Sequence, residues 1–351
     1  MAKLKTIAER TRNNDWPKPA EFKNVEECIS AYESGYEGAM PDPEGAEYVE
    51  SQKYGKFGDA AREFGIEDKG KGKLSLLYPT VWEVSGRDDW YHGSKSQPTG
   101  DCVSRGQSHA AIASLAVAVA NGHGGWPDIP DAAYKSGMPF HPTPCYWNKK
   151  GGASGWSCSS AAARSKDKIG LAFSINYGGD IGDLTQYSTK LIEKYCRSGP
   201  PQSVIDELNG NVTLTYSRVK SFEEMRDAIA SGYGINTCGG QGFAKSRDAN
   251  GVAKRSGSWS HSMATIGIDD TEWAHKNYSG PLVLILNSWG TSWIKGNRTV
   301  QGNPDIPEIP KGSFWARWKD YSGRDGYAMS SVSGFPPMKL KNWGEAIGGL
   351  I

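Results

Sequence analysis

A glycine turn, Thr99-Gly100-Asp101, delivers one cysteine to the first turn of a long apolar stretch. The stretch runs from Cys102 to Ala120, with only Ala, Ile, Ser, Leu and Val from Ala110 onward, and ends at Asn121-Gly122. Such a run predicts a core helix. The unpaired amide N–H groups and dipole at its start stabilise negative charge, so a thiol there is expected to ionise more readily than a free one. Taken alone, Cys102 reads as a small buried residue capping that helix, because free cysteine is among the most buried residue types. The rest of the chain supplies it with partners.

The 351 residues suffice for a sizeable core, in one large domain or two ordinary ones. With 40 basic and 39 acidic residues, no global charge points to nucleic acid or an anionic membrane. No apolar run approaches membrane-spanning length, and no signal-type apolar segment follows Met1-Ala2-Lys3. The expectation is therefore a cytoplasmic chain with ordered tails, without membrane or nucleic-acid partners. Six scattered cysteines contain no Cys-x-x-Cys pair and do not read as a disulfide framework. Most are expected to be free thiols; a Cys145–Cys158 bridge stays open.

Before residue 75 the chain is polar and broken by Pro and Gly. Asn24 with Glu27 three residues on predicts a capped helix that carries Cys28, Ile29, Tyr32 and Tyr36 on one face. A second helix is expected at Asp59–Phe64, and Gly70-Lys71-Gly72-Lys73 reads as a linker. Beyond the cysteine helix, helices are expected at Tyr187–Cys196 and at Ser221–Ser231, where Ser221 and Glu224 form a capping box. Strands follow at 234–238, 262–268, 282–286 and 313–318. Helices early and antiparallel strands late predict an α+β fold of two lobes with a site in the cleft between them. The glycine-rich run 239–257 reads as either a flap over that cleft or a plain surface loop.

Two polar residues sit at strand edges. His261 heads Ser262-Met263-Ala264, and Asn287 ends Leu284-Ile285-Leu286. A Cys/His/Asn set is chemically self-consistent. The imidazole takes the thiol proton, the thiolate attacks an acyl carbon, and the amide holds the other imidazole nitrogen while Trp289 shields that bond. His109, on the nucleophile helix, is expected in the core, and Asp269-Asp270 in a turn rather than a metal site.

Asn287-Ser288-Trp289-Gly290 with Trp293, Ser260-His261-Ser262 and Gly100-Asp101-Cys102-Val103 together resemble the papain-like cysteine peptidases in their bacterial and viral form. The resemblance extends through Glu223-Glu224-Met225, Gly312 to Arg317 and Asp325 to Met329, covering roughly residues 76–337. It implies a two-lobed α+β fold, with a helical lobe carrying the nucleophile helix and an antiparallel β lobe carrying His and Asn. Cys102 would be the nucleophile, His261 the acid/base and Asn287 the orienter, with Gln97 as oxyanion-hole donor. Ser288, Trp289 and Gly290 would support them, and Gly151 and Gly152 would form the wall that lets a substrate backbone approach. The substrate would be a protein or peptide, and neither cofactor nor metal is implied. Val103 replaces the aromatic that often follows the cysteine, and Gln97 stands one position closer to Cys102 than usual. Cys102 to His261 and to Asn287 both exceed the roughly 130–150 residues common in the family, so insertions are expected at 140–180, 239–258 and 295–311.

This reading divides the chain into an N-terminal extension, 1–75, that is a pro-segment or a docking arm; a papain-like domain, 76–337; and a tail, 338–351. The alternative is a structural or assembly protein, for example a virus-particle component, that binds partner proteins through 1–75 and 338–351.

Overall fold

The computed structural model describes residues 6–13, 21–87, 91, 96–129, 140–149, 154–165, 171–209, 212 and 214–343. Its centre is the predicted helix, α6, Cys102–Ala120, in which every residue from Cys102 to Ala118 is buried. A helix apolar on all sides has no solvent face and needs a wall on each. One wall is a twisted antiparallel sheet, and the other is a set of short helices.

The sheet holds β1 (Leu74–Leu76), β6 (Thr215–Val219), β7 (Ile235–Arg247), β8 (Ala253–Asp269), β9 (Leu282–Leu286), β10 (Ser313–Arg317) and β11 (Asp325–Ser330). Its order is β10-β9-β8-β7-β11-β6, and β1 pairs with the end of β8 beyond the last β7 pair. Two minor ladders stand apart: β2 (Phe140–His141) with β3 (Ala172–Phe173), and β4 (Asn176–Gly178) with β5 (Gly182–Asp183). The all-aliphatic β9 is fully buried between β8 and β10, as a run without polar alternation requires. Helix α6 lies against β7, β8 and β11. The approach is close: a Cβ on Gly106 would stand 2.3 Å from Asn236 Oδ1, and one on Gly234 2.3 Å from the Ala110 carbonyl oxygen. Glycine there is a packing requirement. The α+β, two-walled arrangement is the one the sequence predicts.

Among the described residues, four helices precede the sheet: α1 (Ile7–Asn13), α2 (Val25–Glu33), α3 (Pro43–Ser51) and α4 (Phe57–Phe64); α5 (Tyr78–Ser85) follows β1. Helix α2 is capped as predicted, with Asn24 Oδ1 accepting from Glu27 N at 2.9 Å and Glu27 accepting from Lys23 N at 3.0 Å. Cys28, Ile29 and Tyr32 are its buried face. Residues 22–66 share one apolar core with the sheet and α6, so the packing shows no break at residue 75.

Several expectations are corrected. The helix after Tyr187 is Thr189–Glu193: Ser188 caps its start, and the chain from Lys194 to Cys196 is turn rather than helix. The 239–257 run is neither flap nor plain loop but the outer half of the β7–β8 ribbon, with β-bulges at its glycine-rich end. Gly70–Lys73 is a hydrogen-bonded turn rather than a free linker. Cys158 does not pair with Cys145: it bridges to Cys238, joining the helix Cys158–Ser165 to β7. Cys145 stays a thiol and donates to Gln107 Oε1 at 3.0 Å. Sequence spacing could not reveal that pairing, because it spans 80 residues and joins two layers. Among the described residues, no helix is long and apolar enough to cross a membrane.

Candidate active site

Three elements meet at the N-terminus of α6. Cys102 is the helix's first residue, His261 lies in β8, and Asn287 follows β9 directly. Antiparallel pairing of Ala264 with Leu286 fixes the spacing of the last two. All three are 0 % exposed.

The histidine–asparagine pair is complete. His261 Nε2 and Asn287 Oδ1 are 2.8 Å apart. The same oxygen accepts from Ser288 N at 2.7 Å, and since a backbone N–H can only donate, that atom is the amide oxygen. The imidazole must therefore be the donor at Nε2, which leaves Nδ1 unprotonated in the neutral ring. Nδ1 has no hydrogen-bond partner among the described residues. Trp289 stacks on the ring at 4.7 Å and 27°, and Trp259 and Trp293 pack on Trp289. This aromatic cover keeps water from the His261–Asn287 bond. Burial lowers the His261 pKa to about 3, only partly opposed by the Asn287 bond.

The thiol side is organised differently. Gln97 is held at both ends: its N donates to Ser288 O at 3.2 Å, and its Oε1 accepts from Ser288 Oγ at 2.6 Å. Its Nε2 donates to Thr99 O at 2.8 Å and to the hydroxyl of Tyr32 at 2.9 Å. The Tyr32 hydroxyl also lies against the Cys102 thiol. The Tyr32 ring stands edge-on to His261 at 4.7 Å and packs on Trp289 at 5.4 Å. One phenol from α2 thus touches Gln97, Cys102, His261 and Trp289. Sequence reasoning placed Tyr32 on the buried face of its helix and assigned it no role; that buried stripe was the only signal.

Burial pushes the Cys102 thiol up to about 12, the reverse of the sequence expectation. The helix start does favour a thiolate, and the Tyr32 hydroxyl also pulls the thiol down, but desolvation by burial outweighs both. Asp101, also fully buried, is raised to about 6 by burial, against the opposing pull of Arg105 and of its bond from Tyr187. Arg105 donates to Ser288 O at 2.7 Å and lies 4.4 Å over the Tyr187 ring, tying the nucleophile helix to the Asn287-Ser288 turn.

Beyond Tyr32 the chain crosses the cleft. Gly38 N and Ala39 N both stand 2.9 Å from Ser260 O, on the sheet side. On the helical side, Trp156 N donates to Gly38 O at 3.0 Å and Met40 N to Trp156 O at 2.7 Å. Glu37–Met40 is thus an extended rung between both walls, and Arg10 of α1 forms an ion pair with Glu37. Gly155, at φ 68°, lets that rung approach; a Cβ there would stand 2.4 Å from Glu37 O.

Gly151 and Gly152 lie outside the described residues. Gly290, at φ 92°, turns the chain after Trp289. His109 is buried in α6, as predicted, whereas Asp269 is the last residue of β8, paired with Leu74 and Leu282, and accepts from Thr271 N just beyond the strand.

No protein-family model matches the chain, and no curated protein does. Among solved structures, it is similar to xylellain, a cysteine protease from Xylella fastidiosa, at 14% identity and TM-score 0.42, covering 75% of this chain and 92% of that one. It is similar to the digestive procathepsin L 3 of Tenebrio molitor larval midgut, at 14% and 0.43, covering 92% and 85%. It is also similar to procathepsin B S9 from Trypanosoma congolense, at 13% and 0.46, covering 92% and 96%.

Proposed function

We propose that this chain is a thiol hydrolase of the papain-like type, described here in a closed, latent form, whose substrates are proteins or peptides. One observation carries the reading. The Tyr32 hydroxyl occupies the point where the Gln97 amide, the Cys102 thiol and the ring of His261 converge. An oxygen at that point, accepting from Gln97 and lying against the thiol, stands where a scissile carbonyl oxygen would.

With the phenol withdrawn, His261 Nδ1 takes the Cys102 proton and the sulfur attacks the carbonyl carbon. The oxyanion accepts from Gln97 Nε2 and the Cys102 backbone N–H. Collapse expels the amine, which leaves with the proton from His261, and the acyl group remains on sulfur. His261 then deprotonates a water that attacks the thioester; the acid departs and the thiol is restored. Asn287 holds the tautomer throughout, and Trp289 keeps its bond dry. Solvent reaching the site on opening also removes the desolvation that holds Cys102 and His261 neutral, which is what allows a thiolate–imidazolium pair.

Full burial of the site also suits the alternative, an assembly protein whose working form is the closed one. A peptidyl epoxide separates the two readings. A single adduct on Cys102 once the cleft is opened, with peptide hydrolysis lost in Cys102→Ser, supports the hydrolase. No adduct and no hydrolysis in any state supports the scaffold.

A further inference from the structure

We infer that the Cys158–Cys238 bridge is a thiol–disulfide exchange site for a small dithiol, and that its reduction unties one wall of the cleft from the other. The proposal deepens the hydrolase reading, on which it rests for its meaning but not for its test.

The bridge crosses the cleft beside the candidate site. Cys158 opens the helix Cys158–Ser165 on the helical wall. Cys238 lies in β7 on the sheet wall and pairs with Ser262, the neighbour of His261. Glu37–Met40 spans the same gap by backbone hydrogen bonds to Ser260 and Trp156. The two ties run side by side, since Cys158 follows Trp156, and Ser262 follows Ser260, by the same short step along the chain.

The bridge also reaches the nucleophile helix. Ser262 Oγ lies 3.5 Å from Cys158 Sγ and donates to Asn236 Oδ1 at 2.7 Å. Asn236 Nδ2 in turn donates to Val103 O at 3.1 Å. On the helical wall, Gly155 N donates to Gly100 O at 3.1 Å, just before Cys102. Movement of the chain around Cys158 is therefore felt at the thiol.

The two sulfurs are unequally placed. Cys238 lines a cavity of about 400 Å³ with Met40, Glu47, Arg218, Gly240 and Asp325, whereas Cys158 is buried at the start of its helix. Gly239 and Gly240, next to Cys238, carry no side chain to bar an approaching thiol. A dithiol thiolate entering there attacks Cys238 Sγ and the S–S bond breaks. The electron pair leaves on Cys158 Sγ, as a thiolate that the helix start stabilises until it takes a proton. The second sulfur of the dithiol then displaces Cys238, which takes the other proton. The dithiol departs as a cyclic disulfide, having given two electrons and two protons. The new Cys158 thiol faces Ser262 Oγ, whose single hydrogen goes to Asn236, so it finds an acceptor and is not left buried without a bond.

Reduction spares the core. The close packing of α6 on the sheet at Gly106 and Gly234 does not pass through the bridge. Cys28, Cys102, Cys145 and Cys196 are already thiols, so a reductant has one target.

The test uses the full chain. Dithiothreitol is applied without denaturant, and the chain is then unfolded in excess iodoacetamide and weighed. The mass should show four alkylated cysteines before reduction and all six after it. In the reduced, folded chain, the amides of Gly155 and Trp156 should exchange at least about tenfold faster, while those of α6 keep their protection. Alkylation of Cys102 should rise severalfold. The double variant Cys158→Ala, Cys238→Ala should show both changes without reductant and no response to it. A bridge that yields only in denaturant, or a reduced chain with exchange and labelling unchanged, overturns the proposal. Loss of α6 protection on reduction overturns it too, because the bridge would then hold the fold and not the cleft. If reduction uncovers Cys102 to iodoacetamide, but a peptidyl epoxide does not label it and no peptide is cut, the redox tie stands and the hydrolase reading falls.

Discussion

The two halves of the candidate site are finished by different parts of the molecule. The His261–Asn287 pair is set by strand register and sealed by Trp289, and Tyr32 only packs against its rings without entering its hydrogen bonds. The thiol and the Gln97 amide, at the helix start, find their shared partner only in Tyr32. The sheet half is thus preorganised, and the helix half is exchangeable: whatever replaces the phenol must offer an oxygen to Gln97 and leave the sulfur to His261.

The largest test of this contrast is removal of the reacting groups. In the opened chain, Cys102→Ser and His261→Ala should each lower kcat/KM for a peptide substrate by about 10⁴-fold or more, while the circular dichroism of the closed chain stays unchanged. Gln97→Ala should cost about 10²–10³-fold in kcat, the usual loss for one oxyanion donor. An equal loss in Asn287→Ala but none in Gln97→Ala would erase the distinction between the halves.

Acid acts next. Burial lowers His109, His141 and His261 to about 3 in the folded chain. Depressed imidazoles contribute stability that is complete above about pH 6.5 and is lost as pH falls toward 3. Each can remove up to about 1.4 kcal/mol per pH unit across that window. Asp101, raised to about 6, works in the opposite sense and offsets about one of the three. The thermal midpoint should therefore drop between pH 6.5 and 4.5; a flat profile would mean that these rings are not buried.

Tyr32→Phe is the smallest change. It removes one hydroxyl and leaves the Gln97 Nε2 bond to Thr99, so the closed form should lose about 1–2 kcal/mol in urea unfolding. Alkylation of Cys102 in the full chain should rise severalfold; no rise would mean that the ring, not the hydroxyl, is the seal.

Much of this was readable from residues. The α6 helix, the Asn24 and Ser221 caps and the antiparallel sheet follow from local pattern, since apolar periodicity and capping act over a few residues. Cys102, His261, Asn287 and Gln97 were all nominated as one set. What stayed hidden is non-local. Tyr32 became a partner of Gln97 only through packing across 65 residues, and the Cys158–Cys238 bridge only through layers meeting. The thiol's raised pKa depends on the same burial, so a helix start alone gave the wrong direction. The 239–257 run misled because glycines mark bulges in a ribbon as readily as they mark a loop.

The most direct measurement is the pH profile of Cys102 labelling by a peptidyl epoxide, taken on the closed chain and on a chain from which the Tyr32 segment has been released by a site-specific cut engineered at the exposed Pro41. With the thiol at about 12, the closed chain should label only at strongly alkaline pH, since at pH 8 about one molecule in ten thousand carries a thiolate. The opened chain should label on a plateau extending below pH 7, and that plateau should vanish in His261→Ala. If the opened chain keeps the alkaline profile, Cys102 and His261 do not form a working pair, and the account fails at its centre.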